Sequence, residues 1–175
     1  MADGNVGTVV LAAGAASRFG GPKQKLLLPS VLAAARSAGL TDVVVVEGAH
    51  SLADLDLAGT RLVQCSDWAV GPGASLRAGL AALPDVAEMA LVLLADGPHL
   101  DPRAIDRILA HRGDAPLVAA TYNGSRSHPL AAHRSLWSAI PDEGLRALNA
   151  TLIDCSDLDD PGDIDTPDLL PESLR

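Results

Sequence analysis

Thr8-Val9-Val10-Leu11-Ala12-Ala13-Gly14-Ala15-Ala16-Ser17-Arg18-Phe19-Gly20-Gly21-Pro22-Lys23-Gln24-Lys25 is the stretch from which this chain is best read. Its first five residues are apolar or β-branched and end in Ala-Ala-Gly, the pattern of a buried strand running into a loop. Small residues and glycine then let the backbone approach a ligand closely with its amides free to donate. Successive amides in such a turn form an anion nest. Arg18, Lys23 and Lys25 add three cations with no acid among them, in a chain of formal charge −9. A local reversal of this kind points to polyphosphate, which arginine grips with two donors and lysine meets as a point charge. A solvated basic loop is the plainer alternative. The Gly-Lys-Ser/Thr of a Walker loop is absent.

Outward from this segment, strands and helices alternate. Asp42 to Val46 is a second buried strand, and Arg61 to Gln64 a weaker third. Met89 to Leu94, Leu117 to Tyr122 and Thr151 to Asp154 complete the strands. Helices are expected over Ser30 to Ala38 with Gly39 as cap, Gly73 to Leu83, Pro102 to His111, and Leu130 to Ile140. The tail from Asp157 to Asp168 reads as loop. This alternation predicts an α/β fold, a Rossmann-like three-layer sandwich with a mostly parallel sheet. Residues 1–175 show no repeat or linker and are expected to form one domain. Ligands of open α/β sheets bind beyond the carboxyl ends of the strands. The polar clusters Gly14–Lys25, Asp96–His99 and Tyr122–His128 all fall at such ends, which suggests one shared site.

Composition excludes several classes. Aromatics are scarce, so the core must come from Ala, Val, Leu and Ile. The acidic balance argues against nucleic acid as a partner. Cys65 and Cys155 show no zinc spacing, and reduced thiols are expected. Met1 to Asn5 carries no basic leader, and no apolar run reaches the roughly 18 residues of a membrane span. A cytoplasmic protein is expected. Gly14 and Gly20, with Glu47 ending the next strand, loosely imitate a dinucleotide fold, but Gly-x-Gly-x-x-Gly is missing.

The pattern Leu-Ala-Ala-Gly-x-x-Ser-Arg-Phe-Gly-x-x-Lys over Leu11 to Lys23 resembles the signature of the MobA-like nucleotidyltransferases. Three further segments agree in order. Asp67 to Leu80 is similar to the base-binding turn of the cytidylyltransferase branch. Leu94-Ala95-Asp96-Gly97-Pro98 resembles its Gly-Asp-Gln-Pro metal motif, and Asp163 to Asp168 its closing Asp-x-Asp-Thr-Pro motif. The resemblance implies magnesium-dependent transfer of a nucleoside monophosphate to a phosphorylated acceptor such as molybdopterin, with loss of pyrophosphate. It implies CTP as donor on the strength of Ala13; GTP is the alternative, as is a non-catalytic nucleotide-binding accessory protein acting with a cofactor-receiving enzyme. Leu11, Ala12, Ala13, Gly14, Gly73 and Ser75 would bind the nucleotide. Arg18 and Lys23, with Lys25 as a further candidate, would offset phosphate charge. Asp96 and Asp165 would hold Mg2+, with Asp163 less favoured, and His128 would face the acceptor. Asp96 could instead cap its turn, Ser75 its helix, and His128 could simply be packed. Two departures stand out: Ser30-Val31-Leu32 follows Pro29 directly, about ten residues short of the usual lead-in, and the segment before Asp142 is also short.

Overall fold

Consecutive residues of the first strand face opposite ways, and this alternation builds two cores. In the computed structural model, which describes residues 6–174, Val10 and Ala12 join one apolar cluster and Val9 another. The leading Met1 to Asn5 lies outside the described residues. The strands are β1 (Val6–Ala12), β2 (Val43–Glu47), β3 (Thr60–Gln64), β4 (Met89–Leu94), β5 (Leu117–Tyr122), β6 (Ser125–His133) and β7 (Thr151–Asp154). They form one sheet in the order β3-β2-β1-β4-β6-β5-β7. All run parallel except β6, which is antiparallel to both neighbours. Helices α1 (Lys23–Ser37) and α3 (Pro102–Ala110) cover the Val10 face, and α2 (Pro72–Ala81) the Val9 face. The expected three-layer α/β architecture is therefore present. Val43–Glu47 is buried along its whole length, as a strand covered on both faces must be.

Gly39 ends α1 as expected. Its φ is +76°, its amide donates to Arg36 O, and the Leu40 amide donates to Ala35 O, the paired bonds of a Schellman cap. The start of α1 differs from expectation. The helix begins at Lys23, not Ser30, and runs unbroken through Pro29. No turn separates the basic segment from the helix, so Lys23 and Lys25 sit on its first turn.

The helix expected over Leu130 to Ile140 is corrected. Leu130 to His133 belongs to β6, and only Arg134–Ala139 is helical, as a 3-10 segment. Asn123 and Gly124 take φ of +51° and +80°, the signature of a two-residue hairpin turn. That turn folds β6 back between β5 and β4, where Leu130, Ala131 and Ala132 are buried. Alanine favours helix by itself, but the turn and the two flanking strands override that preference. Both cysteines are free and buried. Among the described residues, no helix is long and apolar enough to cross a membrane.

Candidate active site

The loop after β1 is held by its carbonyls. Ala13 O accepts from the Ala49 amide at 3.0 Å, and Gly14 O from Gln24 Nε2 at 3.0 Å. Ala15 O accepts from His50 Nε2 at 2.8 Å, and Ala16 O from the Phe19 and Gly20 amides. In a trans peptide the N–H points opposite the C=O. Four consecutive amides, of Gly14, Ala15, Ala16 and Ser17, are thereby turned away from these anchors. Among the described residues none of the four donates a hydrogen bond. Gly14 and Ser17 are exposed and Ala15 and Ala16 half-buried, so these amides stand open to solvent, as donors available to an anion would. Ala16 adopts φ +52°, a conformation that costs an alanine on the order of 1 kcal/mol.

This loop borders a cleft of about 420 Å³ at the carboxyl edge of the sheet, lined also by Arg18, Lys23, Trp68, Ser75, Asp96 and Asp165. Lys23, the first residue of α1, is the centre of its electrostatics. Its side chain is only 8% exposed, and its Nζ lies 3.2 Å from Asp96 Oδ2. Asp163 Oδ1 and Asp165 Oδ1 follow at 3.3 and 3.4 Å. Asp165 Oδ2 also meets Arg18 at 2.9 Å. Burial pushes the Lys23 ammonium down, but Asp96 and Asp163 outweigh it and hold its pKa above the ordinary lysine value. Burial pushes the Asp96 carboxyl up; Lys23 opposes this, Asp163 adds to it, and the net shift is upward. Asp96 Oδ1 is buried without a partner. Asp96 follows β4 at the cleft, and Asp163 and Asp165 return from the tail beyond β7. The Ile164 amide donates to Asp96 O at 3.4 Å and ties that tail to the site.

The sequence-predicted residues thus divide. Leu11, Ala12, Ala13, Gly14, Arg18, Lys23, Ser75, Asp96 and Asp165 share the cleft. Lys25 does not. Two residues along a helix turn the side chain by roughly 200°, and Lys25 Nζ pairs with Asp54 Oδ2 at 2.7 Å outside the cleft lining. Gly73 is also outside the lining. Its amide donates to Asp142 O, and a Cβ there would lie 1.8 Å from Pro141 O, so it serves the approach of that segment to α2. Glu47 is buried outside the cleft lining, where its Oε2 accepts from the Leu52 amide at 2.6 Å. His128 lines a neighbouring pocket. Burial and the adjacent Arg126 lower its pKa to about 3, so the imidazole is neutral at ordinary pH. Sequence reasoning missed Gln24, His50 and Trp68, and gave Asp163 too little weight. His50 lies just past the end of β2, at the same sheet edge, which was the signal available.

Among the described residues no group of three His, Cys, Asp or Glu side chains is arranged to hold a metal ion by itself. Magnesium, however, is usually bound through one or two carboxylates together with substrate phosphates. The partnerless Asp96 Oδ1 beside Asp165 suits that mode.

The MobA-like NTP transferase domain matches residues 8–152 of this chain. Rv0371c from Mycobacterium tuberculosis H37Rv is 28% identical and superposes with a TM-score of 0.79 over 94% of each chain. A structure of Rv0371c in complex with manganese aligns at 24% identity and a TM-score of 0.72, covering 86% of this chain and 88% of that one. CMP:2-keto-3-deoxy-manno-octonic acid synthetase complexed with CTP shares the fold at 14% identity, with a TM-score of 0.71 over 94% of each chain. No curated protein matches. The chain belongs to the MobA-like NTP transferase family, and its class is that of the nucleotidyltransferases.

Proposed function

We propose that this protein transfers CMP from CTP to a phosphorylated small-molecule acceptor such as molybdopterin, releasing pyrophosphate, in a magnesium-dependent reaction. The row of partnerless amides opposite the Lys23–Asp96 pair is the observation that carries this reading. An acceptor phosphate oxygen attacks the α-phosphorus. A new P–O bond forms, the bond to the bridging oxygen of the β-phosphate breaks, and pyrophosphate leaves with that electron pair. The amides of Gly14 to Ser17 hold the leaving phosphates. Arg18, largely exposed at the cleft mouth, swings from Asp165 onto triphosphate oxygens. Lys23 offsets charge that builds at the reacting phosphorus, because a fixed cation in a site screened from water gains most when the charge develops. Asp96 and Asp165 would hold Mg2+, which when bound neutralises phosphate charge and orients it for in-line displacement. The manganese complex of Rv0371c supports a divalent cation in this family. The CTP complex of the octonic acid synthetase, a fold relative, supports a cytidine nucleotide. Ser75 and Trp68 border the base or ribose, and His128 faces the acceptor as a neutral donor.

Thermal stability measured with CTP and with GTP, each with and without Mg2+, tests this. CTP at about 100 times its dissociation constant should add roughly 2.7 kcal/mol, and only with the metal. Pyrophosphate release on adding acceptor should follow. A shift with GTP alone would overturn the cytidylyl assignment. Binding without pyrophosphate release from any acceptor would leave a nucleotide-binding protein and overturn the transferase mechanism.

A further inference from the structure

The chain beyond β7 is held to the body by two unlike sets of contacts. The apolar set is a third, separate cluster: Ile164 and Leu170 are buried on Leu27 of α1, with Phe19 of the loop after β1 and Leu174 packed against them. The charged set lies beside it. Among the described residues, every ion pair of Asp163 and Asp165 goes to Lys23 or Arg18. Lys23 and Leu27 stand four positions apart on α1 and so share one face of the helix. Each takes its own part of the tail, Lys23 the two carboxylates and Leu27 the isoleucine between them. Upstream, the tail is pinned by other bonds: Arg107 pairs with Asp157, and the His99 amide donates to Pro161 O at 3.1 Å. Gly162 follows with φ +79°, a pivot between the pinned part and the rest of the tail. Glu143 and Arg146 share a neighbouring pocket with Asp163, but neither forms an ion pair with it.

We infer that residues 162–174 form a strap that polyphosphate loosens and a divalent cation seats again, so that the cleft closes on the metal complex of its nucleotide and not on the free nucleotide. The inference rests on the reading of the cleft as a triphosphate site and describes how that site closes. The two cations that hold the strap's carboxylates are the same two that line the cleft beside the open amides. A triphosphate that engages them brings its own negative charge up to Asp163 and Asp165. Attraction then turns to repulsion around a lysine whose side chain is buried, where screening by salt is weak. Leu27, Ile164 and Leu170 still tether the strap, because apolar burial does not depend on charge. Asp96 and Asp165 regain their attraction when a divalent cation bridges carboxylate to phosphate oxygens, the usual mode for magnesium. Segments with few buried contacts open locally at small cost, so this exchange of counter-ions is enough to move the strap.

Hydrogen exchange of the wild-type protein, read by mass spectrometry over 162–174, tests this with tripolyphosphate and with CTP, each in EDTA and in Mg2+. Calorimetry run alongside reports whether each ligand binds. The Ile164, Leu169 and Leu170 amides, all hydrogen-bonded in the free protein, are the reporters. Either ligand in EDTA should speed their exchange about tenfold, the scale of one charged hydrogen bond lost. Mg2+ should return it to the rate of the free protein or below, while exchange in β1 and β4 stays constant. Leu170→Ala should exchange faster in every condition yet keep the response to ligand. Arg18→Gln should exchange faster without ligand and respond less to it. Bound tripolyphosphate that leaves exchange in EDTA unchanged or slows it, or Mg2+ that fails to reverse the rise, overturns the strap and leaves the triphosphate cleft standing. A full response to tripolyphosphate with no binding of CTP overturns the nucleotide reading and leaves the strap. Failure of both ligands to bind overturns both.

Discussion

At the scale of single residues, the loop after β1 is shaped by carbonyls that are all committed. His50 and Gln24 never need to touch the ligand; they hold peptide planes so that the amides cannot turn inward. His50→Ala and Gln24→Met should each weaken CTP binding about tenfold, near 1.4 kcal/mol, the worth of one lost positioning bond. Calorimetric titration against unchanged unfolding curves separates this from general damage. Ala16 carries the strain of its left-handed backbone. Ala16→Gly should therefore raise thermal stability by up to about 1 kcal/mol, relief offset in part by the greater freedom of glycine when unfolded. Asp96 behaves in the opposite sense to most carboxylates. Its folded pKa lies above the ordinary value, so its charge opposes folding once pH exceeds that of the unfolded carboxyl. Asp96→Asn should cut turnover by about 100-fold or more while the melting temperature at neutral pH holds or rises. A fall in both would show that the carboxylate is structural.

At the scale of elements, legibility followed burial. β1, β2 and β4 could be read because strands covered on both faces appear as unbroken apolar runs. β6 could not, because Leu130 to Ala132 carry no period that separates strand from helix. The deciding signal was two residues long, Asn123-Gly124, and lay outside the apolar segment. Gly124→Ala should destabilise the protein by about 1–2 kcal/mol, since φ +80° there strains any residue with a Cβ; chemical denaturation measures it. The site was legible where motif residues end strands, as at Gly14 and Asp96. It was not legible where function depends on helix phase or on a distant contact. Nothing local to Lys23-Gln24-Lys25 says which lysine turns inward until the helix start is known. Likewise, only the folded chain brings His50 to a carbonyl 35 positions earlier.

At the scale of the whole molecule, charge is arranged unevenly and acid should expose that. His128 is neutral in the fold with a pKa near 3, while the unfolded imidazole titrates near 6.5. The unfolded state therefore binds the extra proton in that window, and stability should fall as pH drops from about 6.5 towards 3. His128→Gln should flatten that limb in melting experiments run across the range. The Lys23 knot also spans the molecule: its contacts to Asp163 and Asp165 reach across 140 and 142 residues. The stretch 157–162 between β7 and those carboxylates adds no strand to the sheet. A single protease cut there would spare the seven-stranded scaffold and leave the lysine's counter-ions held only by noncovalent contacts, among them the Ile164 amide on Asp96 O and the packing of Ile164 and Leu170 on Leu27. The chain thus carries its own continuity check: a nicked copy can keep its shape and its circular dichroism and transfer a nucleotide only while those contacts hold.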